Sequence, residues 1–170
     1  MSTAHSFRVI LVLDASPLIA LARIGSLGLL RQLADQIVVP EAVYAESVNC
    51  AADRPGSIEI AQADWIVHRK VENRARVEQL HTRIGLGEAE AITLVQEIGT
   101  DAIVVLDDAT ARRIAEQEGC RVVGLLGLLV VAKQRGLLAA VRPLLDAMRN
   151  SGFFVSDELY TIILRQVAEE

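Results

Sequence analysis

Cysteine is scarce in this chain of 170 residues, and the positions of its two copies exclude several classes of site. Cys50 and Cys120 lie far apart and form no C-x-x-C pair, so zinc ribbons and redox motifs are not expected, and both thiols are predicted to be reduced. The histidines His5, His68 and His81 are scattered without the spacing of a ligand set. The chain therefore shows neither a zinc motif nor a Cys–His or Ser–His–Asp arrangement.

Aromatic residues and long apolar runs are also scarce. Only 4% of the chain is aromatic although 52% is hydrophobic, so the core must consist mainly of aliphatic side chains. This composition is typical of a buried parallel sheet covered by helices. The longest apolar run, residues 125–132, is much shorter than the roughly 20 residues of a membrane-spanning helix, and no signal-like segment precedes the first strand. We expect a soluble, cytoplasmic protein without a membrane partner.

Positive charge is in deficit, since the net charge is −5. This value argues against a protein coated with positive charge to hold nucleic acid. It does not exclude an enzyme that acts on nucleic acid, because part of the negative charge can lie at a metal site. A local basic groove is also invisible in a sum over the whole chain.

Apolar runs alternate with helical patterns, which predicts a three-layer α/β/α domain with a mostly parallel central sheet. The strands are predicted over residues 7–13, 36–39, 65–71, 102–106 and 121–124. Helices are predicted between them, with Ser16 as the N-cap of the first.

A single domain is expected over residues 1–170. Residues 1–6 are predicted to be a flexible N-terminus and residues 50–56 a loop. Three helices are predicted over residues 125–170, the second of them over 137–152, and all are expected to pack on the same domain.

Carboxylates are placed where predicted strands end or predicted helices begin. They are Asp14, Glu46, Glu88, Glu90, Asp107 and Asp108. In a parallel sheet the carboxyl ends of the strands lie at one edge, which is where open α/β folds build their sites. Several acids at one point repel one another unless a cation lies among them, so the pattern predicts bound Mg²⁺ or Mn²⁺ and phosphate chemistry.

Some of these acids come in pairs whose members compete for one role. Glu88 lies along the apolar stripe of its helix and is the first choice as a ligand, whereas Glu90 is assigned to the solvated face and kept as the alternative. In the pair Asp107–Asp108, one acid can cap the following helix while the other binds metal. Asp108 is preferred as the ligand. Asp14 is predicted to be free to bind metal because Ser16 caps the helix.

Two arginines follow the aspartate pair by one helical turn. Arg112 and Arg113 are candidates for contacts with RNA phosphates. The alternative is an ordinary ion pair between an arginine and Glu116 on a solvated helix.

Six stretches of the chain, in this order, resemble the PIN-domain family, specifically the subgroup close to VapC-type toxins that is described as predicted nucleic-acid-binding. They are VLDASPLIALARI (12–24), IVVPEAVYAE (37–46), GLGEAEAI (85–92), VVLDDATARRIAEQEG (104–119), VVGLLGLLVVAKQRGLL (122–138) and GFFVSDELYTIIL (152–164).

The resemblance implies an acidic pocket that binds Mg²⁺ or Mn²⁺ and a ribonuclease that hydrolyses single-stranded RNA. It places the family acids on Asp14, Glu46, Glu88 (or Glu90) and Asp108 (or Asp107), and these are the predicted catalytic residues. Ser16 matches the hydroxyl residue that supports the first aspartate. The chain departs from commoner VapC toxins in having glutamate at the third acidic position. The resemblance also implies a homodimer and a small antitoxin protein whose basic side chain enters the pocket.

Three functions from different classes compete at this point. The first is a metal-dependent endoribonuclease, either a toxin or an RNA-processing enzyme. The second is a PIN-fold module that binds nucleic acid or has a regulatory role, with little catalytic turnover. The third is a receiver domain or a dehalogenase-like phosphatase. A receiver domain has its acid pair after the first strand, whereas the pair in this chain follows the fourth predicted strand. A dehalogenase-like phosphatase has a D-x-D motif after its first strand, and this chain lacks that motif there.

Overall fold

A computed structural model describes residues 8–49 and 55–170 of the chain. The predicted flexible segment 1–6, the residues His5 and Cys50, and most of the predicted loop 50–56 lie outside the described residues. The strands are β1 (Ile10–Leu13), β2 (Gln36–Pro40), β3 (Ile66–Arg69), β4 (Ala102–Val105) and β5 (Arg121–Val123). They form one sheet in the order β3-β2-β1-β4-β5, and every pairing is parallel.

Ten helices are found in the described residues. They are α1 (Ala15–Arg23), α2 (Leu29–Leu33), α3 (Glu41–Val48), α4 (Ser57–Gln62), α5 (Arg74–His81), α6 (Leu86–Ile98), α7 (Ala109–Gln117), α8 (Leu125–Gln134), α9 (Arg142–Asn150) and α10 (Asp157–Gln166). None of them is both long enough and apolar enough to cross a membrane.

The central strand β1 shows why the fold has three layers. Its side chains alternate between the two faces of the sheet, as in any strand. Leu11 and Leu13 belong to a core that also holds residues of α1, α3, α8, α9 and α10. Ile10 and Val12 belong to a second core with residues of α5, α6 and α7. The predicted three-layer α/β/α fold is therefore confirmed, with a sheet that is wholly parallel.

The strand order places a topological switch point beside β1. The chain proceeds from β1 outward to β2 and β3, and then returns to place β4 on the other side of β1. Connections therefore leave the carboxyl ends of β1 and β4 in opposite directions and leave a crevice between them, where ligands bind in open α/β sheets. The backbone amide of Asp14 donates to the carbonyl of Val105 (3.2 Å), which joins the two strand ends at this crevice.

Three helices begin at positions that the sequence alone does not indicate. Helix α4 was not predicted, and it begins directly after Gly56, whose φ of +100° suits glycine. Helix α6 begins at Leu86 and includes Gly87 in its first turn. Residues 137–141 are not helical, and α9 begins only at Arg142, because Pro143 cannot bond back to an earlier turn.

Candidate metal and catalytic site

Asp14 lies at the centre of the crevice, between the end of β1 and the start of α1. It occupies the N-cap position of α1, so the prediction that Ser16 caps this helix is wrong; Ser16 is an exposed residue within its first turn. The Asp14 carboxyl is only 7% exposed. Burial, together with the charges of Glu88, Glu46 and Asp107, raises its pKa to about 7, against the lowering effect of a hydrogen bond to the backbone of Ala15.

Glu46 approaches Asp14 from α3, and a glycine on α6 makes room between them. A Cβ atom added at Gly87 would lie 3.1 Å from Oδ1 of Asp14 and 3.3 Å from Oε2 of Glu46. Any side chain at this position would therefore fill the space between the two carboxylates. Glu46 is exposed and its carboxylate reaches the space from the open side.

Glu88 enters the site from the first turn of α6. Its Oε2 accepts a hydrogen bond from the amide of Gly85 (3.1 Å), which fixes the carboxylate at the helix N-terminus. Burial raises the pKa of Glu88, and so do the charges of Asp108 and Glu46, while the Gly85 amide opposes the rise. The charges of Glu46 and Glu88 thus act on each other and on Asp14, which identifies them as parts of one site.

The aspartate pair after β4 divides its roles. Asp108 caps α7, since its Oδ1 accepts from the amide of Ala111 at 2.8 Å. Asp107 accepts from the amide of Leu125 through Oδ1 (2.9 Å), and its Oδ2 is buried without a hydrogen-bond partner among the described residues. Burial raises the pKa of Asp107, against the lowering effects of the Leu125 amide and of Arg112. The capping role therefore belongs to Asp108 and not to Asp107.

Glu90 lies away from this cluster and is not solvated, contrary to its predicted place on the exposed face. It is 4% exposed, and its Oε1 contacts Nη1 of Arg74 at 2.5 Å. Its Oε2 accepts from the amide of Ala42 at 2.9 Å. Both oxygens are thus engaged in holding α5 and α3 against α6.

The two candidate phosphate ligands differ in their surroundings. Arg112 is half-buried; its Nη1 lies 3.2 Å from the Cβ position of Gly124, and its charge lowers the pKa of Asp107. Neither arginine forms an ion pair with Glu116 in the described part of the chain, so the predicted alternative is not observed. Arg113 is exposed on α7.

A cavity of about 570 Å³ opens beside the acids. It is lined by Asp14, Ala42, Ala45, Glu46, Asn49, Gly85, Leu86, Gly87 and Glu88. Within residues 8–49 and 55–170, no three acidic, histidine or cysteine side chains converge as closely as a bound ion requires. The donor set nevertheless fits Mg²⁺ or Mn²⁺, because it consists of carboxylates and Gly87 leaves the central space open. In addition, one buried oxygen of Asp107 has no hydrogen-bond partner among the residues that the structure describes.

Two features of the site were not predicted from the sequence. Gly87 is not among the predicted site residues, and only its packing against Asp14 and Glu46 shows why a side chain would obstruct the site. The contact between Arg74 and Glu90 joins residues of two helices, and no local pattern indicates it. The apolar setting of Glu90 between Ala89 and Ala91 was the only available signal that it is buried.

Comparison with known proteins gives one finding. The model of a family described as a PIN domain matches residues 10–169, which is nearly the whole chain. No curated protein and no solved structure matches the chain.

Proposed function

Because the chain belongs to the PIN-domain family, whose members are generally nucleases, we propose that it is a metal-dependent endoribonuclease. It would hydrolyse phosphodiester bonds of single-stranded RNA with Mg²⁺ or Mn²⁺. The observation that carries the proposal is the placement of Asp14, Glu46, Glu88 and Asp107 around the switch point of the sheet, where burial raises the pKa values of Asp14, Glu88 and Asp107 and the neighbouring acids raise those of Asp14 and Glu88 further. A divalent cation relieves the repulsion between neighbouring acids.

The four acids would hold the ion from different directions. Asp14 comes from the end of β1, Asp107 from the end of β4, Glu46 from α3 and Glu88 from α6. The other two acids would not bind the ion: Asp108 caps α7, and Glu90 forms an ion pair with Arg74. When bound, the ion supplies Lewis-acid chemistry, since it polarises a phosphate oxygen and makes water acidic enough to attack at neutral pH.

The chain's own groups would orient the reactants. Glu46 is the most exposed of the four acids and lines the open cavity, so its carboxylate is placed to accept a hydrogen bond from the attacking water. Arg112 lies beside Asp107, where its guanidinium can bind a substrate phosphate next to the scissile bond. Ser16 lies exposed on the first turn of α1, next to the same groove as Asp107, and would contact the substrate there.

The experiment is cleavage of a mixed single-stranded RNA with Mn²⁺, with Mg²⁺ and with EDTA, combined with calorimetric titration of each metal. The variants Asp14→Asn and Gly87→Ala should each lose cleavage and bind metal at least about tenfold more weakly, because one removes a ligand charge and the other fills the space. Asp101→Asn is the matched control, since it removes an exposed charge at the opposite end of β4. It should leave both properties unchanged.

The outcomes separate the proposal from its alternative. Metal binding by the wild type without cleavage would favour a PIN-fold module that binds nucleic acid or regulates with little turnover. Failure of the folded wild type to bind either metal at millimolar concentration would overturn the site itself.

We also propose that this nuclease acts in the cytoplasm as a toxin, with a small antitoxin as its partner and a homodimer as its working form, although RNA processing is the alternative role. The support is the charge of the pocket, whose carboxylates would attract a basic antitoxin side chain. Growth arrest on expression of the wild type, absent with Asp14→Asn, would support the toxin role. Normal growth would favour RNA processing.

A further inference from the structure

An exposed phenylalanine lies on an anchored loop close to the acidic site. Phe154 is 87% exposed and is the most exposed large hydrophobic residue of the described chain. It lies in the segment 151–156 between α9 and α10. Its neighbours are fixed, because Phe153 packs against the core and donates its amide to the carbonyl of Met148 (3.0 Å), and Val155 is 4% exposed. The exposure of Phe154 is therefore a property of an ordered loop.

The ion pair between Arg149 and Asp157 holds this loop at both of its ends. Arg149 belongs to the last turn of α9 and Asp157 is the first residue of α10. Ser151 closes the end of α9 as well, through its hydroxyl, which donates to the carbonyl of Met148 at 2.9 Å. An aromatic ring presented on such a loop loses little conformational freedom when a ligand covers it.

Two grooves meet at this ring, and both extend to the acidic site. One, of about 390 Å³, is lined by Ser16, Arg23 and Asp107. The other, of about 310 Å³, is lined by Asp107, Arg112 and Leu126. Phe153 and Phe154 line both grooves, and we call this pair the Phe ridge. The ridge therefore stands directly beside Asp107, between two surfaces that each contain one arginine.

Neither arginine forms an ion pair within residues 8–49 and 55–170. Nε of Arg23 is buried and has no hydrogen-bond partner in the described part of the chain. Arg112 faces Asp107 and Gly124. Guanidinium groups bind phosphate oxygens, and an exposed aromatic ring between them offers a stacking surface for a base. An apolar protein partner would explain the ring but not the two cations beside it.

We infer that Phe154 stacks on an unpaired base of the substrate next to the scissile phosphate, with Arg23 and Arg112 on the flanking phosphates. This inference rests on the proposed nuclease function and adds the residue that selects single-stranded RNA. In a duplex both faces of a base are covered by its neighbours, so stacking on Phe154 requires a base that has left the helix. Duplex RNA should therefore be a poor substrate.

The test is a double-mutant cycle in which the Phe154 ring and single substrate bases are removed separately and together, and the cleavage kinetics are compared. A short single-stranded RNA is prepared in versions that each carry one abasic nucleotide near the cleaved bond, and kcat and KM are measured with Mn²⁺. Phe154→Ala should lower kcat/KM by about 5- to 100-fold, mainly through KM, whereas Phe154→Trp should retain most activity. Ile162→Ala, which shortens an exposed apolar side chain of α10 outside both grooves, is the control and should cleave like wild type.

The abasic series identifies the base that contacts the ring. In the wild type, one abasic position should cause a loss similar to that of Phe154→Ala. In Phe154→Ala the same position should cause no further loss, while other positions should add their effects normally. Because Phe154 is almost fully exposed, its removal should leave the unfolding temperature unchanged, and this measurement excludes misfolding as the cause.

Failure of the inference differs from failure of the proposed function. If the wild type cleaves RNA and Phe154→Ala cleaves it equally well, the inference is overturned and the nuclease remains. A changed oligomeric mass of Phe154→Ala in light scattering, with unchanged kinetics, would also overturn it and assign the ring to a protein contact. If the wild type cleaves nothing, anisotropy titration with labelled RNA decides: weaker binding by Phe154→Ala supports the inference, and equal binding overturns it.

Discussion

At the scale of single residues, the two adjacent aspartates after β4 show how one carboxylate becomes free for a ligand. Asp108 uses Oδ1 to cap α7, as aspartates commonly do at this position. Asp107 uses one oxygen for the amide of Leu125 and keeps the other buried without a partner among the described residues. A buried carboxylate oxygen that lacks a partner is costly, and a cation removes that cost. We therefore assign the stronger ligand role to Asp107.

This assignment predicts different effects for two conservative changes. Asp107→Asn should weaken Mn²⁺ binding at least about tenfold, because it removes a charge next to the ion. It should cost less than about 1 kcal/mol of stability, since the asparagine oxygen can still accept from Leu125. Asp108→Asn should keep the cap and lose less affinity. Calorimetric titration and urea unfolding measure the two quantities.

A third variant separates the cap from the ligand. Asp108→Ala should lower the free energy of unfolding by about 1 kcal/mol, because α7 loses its N-cap. If Asp108→Asn instead abolished metal binding while Asp107→Asn retained it, the two roles would be the reverse of those assigned here.

The sequence could narrow the candidate acids to six but could not choose within the pairs. The choice depends on contacts between distant segments: Leu125 lies 18 residues from Asp107, and Ala42 lies 48 residues from Glu90. Local spacing holds no information about either amide. The same reason explains why the sequence favours Ser16 as the N-cap of α1. The position of Asp14 depends on a backbone hydrogen bond to Val105, a residue of a distant strand, and α1 begins directly after Asp14.

At the scale of helices and strands, Glu90 connects three helices, and both of its oxygens are engaged in these contacts. Its Oε2 accepts from the amide of Ala42 in the first turn of α3, one helical turn before Glu46. Its Oε1 pairs with Arg74 at the start of α5. A single buried carboxylate thus joins α3 and α5 to α6, which carries Gly87 and Glu88.

Changing Glu90 should therefore disturb the site indirectly. Glu90→Ala leaves the Ala42 amide and Arg74 without a partner, so it should lower the free energy of unfolding by about 1–3 kcal/mol and weaken metal binding by releasing α3. Glu90→Gln can still accept from Ala42 and should keep most of the metal affinity.

The comparison between the two Glu90 variants is decisive. A direct ligand would lose metal binding in Glu90→Gln as fully as in Glu90→Ala, since both remove the charge. Equal loss in the two variants, measured by Mn²⁺ titration, would return Glu90 to the list of ligands.

The central strands β1 and β4 were predictable because each is an unbroken aliphatic run, and a strand covered on both faces needs nothing else. The helix boundaries were less predictable. Helix α4 has only six residues and exposes Ile58, so it lacks a clear apolar stripe. The segment 137–141 has an apolar, helix-like composition, but the proline at position 143 delays α9 until Arg142.

At the scale of the whole molecule, the excess of negative charge arises partly from the acids of the candidate site. The fold brings Asp14, Glu46, Glu88 and Asp107 to one crevice, where burial raises the pKa values of Asp14, Glu88 and Asp107 and nearby acidic charges raise those of Asp14 and Glu88 further. The net charge of −5 therefore includes a local cluster of acids, and a divalent ion could bind to these acids and to an RNA phosphate at the same time. The Phe ridge and its two arginines lie next to this cluster, where a strand held by its phosphates would reach the acids.

This arrangement predicts an unusual pH dependence for the metal-free protein. Asp14 has a pKa of about 7 in the folded state, raised by burial and then by its acidic neighbours, against 3.8 as the ordinary value. Between these two values the folded state binds more protons than the unfolded state, so the free energy of unfolding should fall as the pH rises. From pH 5 to pH 8 the loss should be about 2–3 kcal/mol. Urea unfolding in EDTA at several pH values measures it.

A matched variant and added metal test the cause of this loss. Asp14→Asn cannot ionise at this position, so its stability should depend less on pH and should exceed that of the wild type at pH 8 in EDTA. Saturating Mg²⁺ should raise the stability of the wild type most at pH 8, where the carboxylates are deprotonated and bind the ion best. Asp14 would then destabilise the metal-free protein and help to bind the ion in the metal-bound protein. An equal pH profile for the wild type and Asp14→Asn in EDTA would show that Asp14 ionises normally and that its burial does not disfavour its charge.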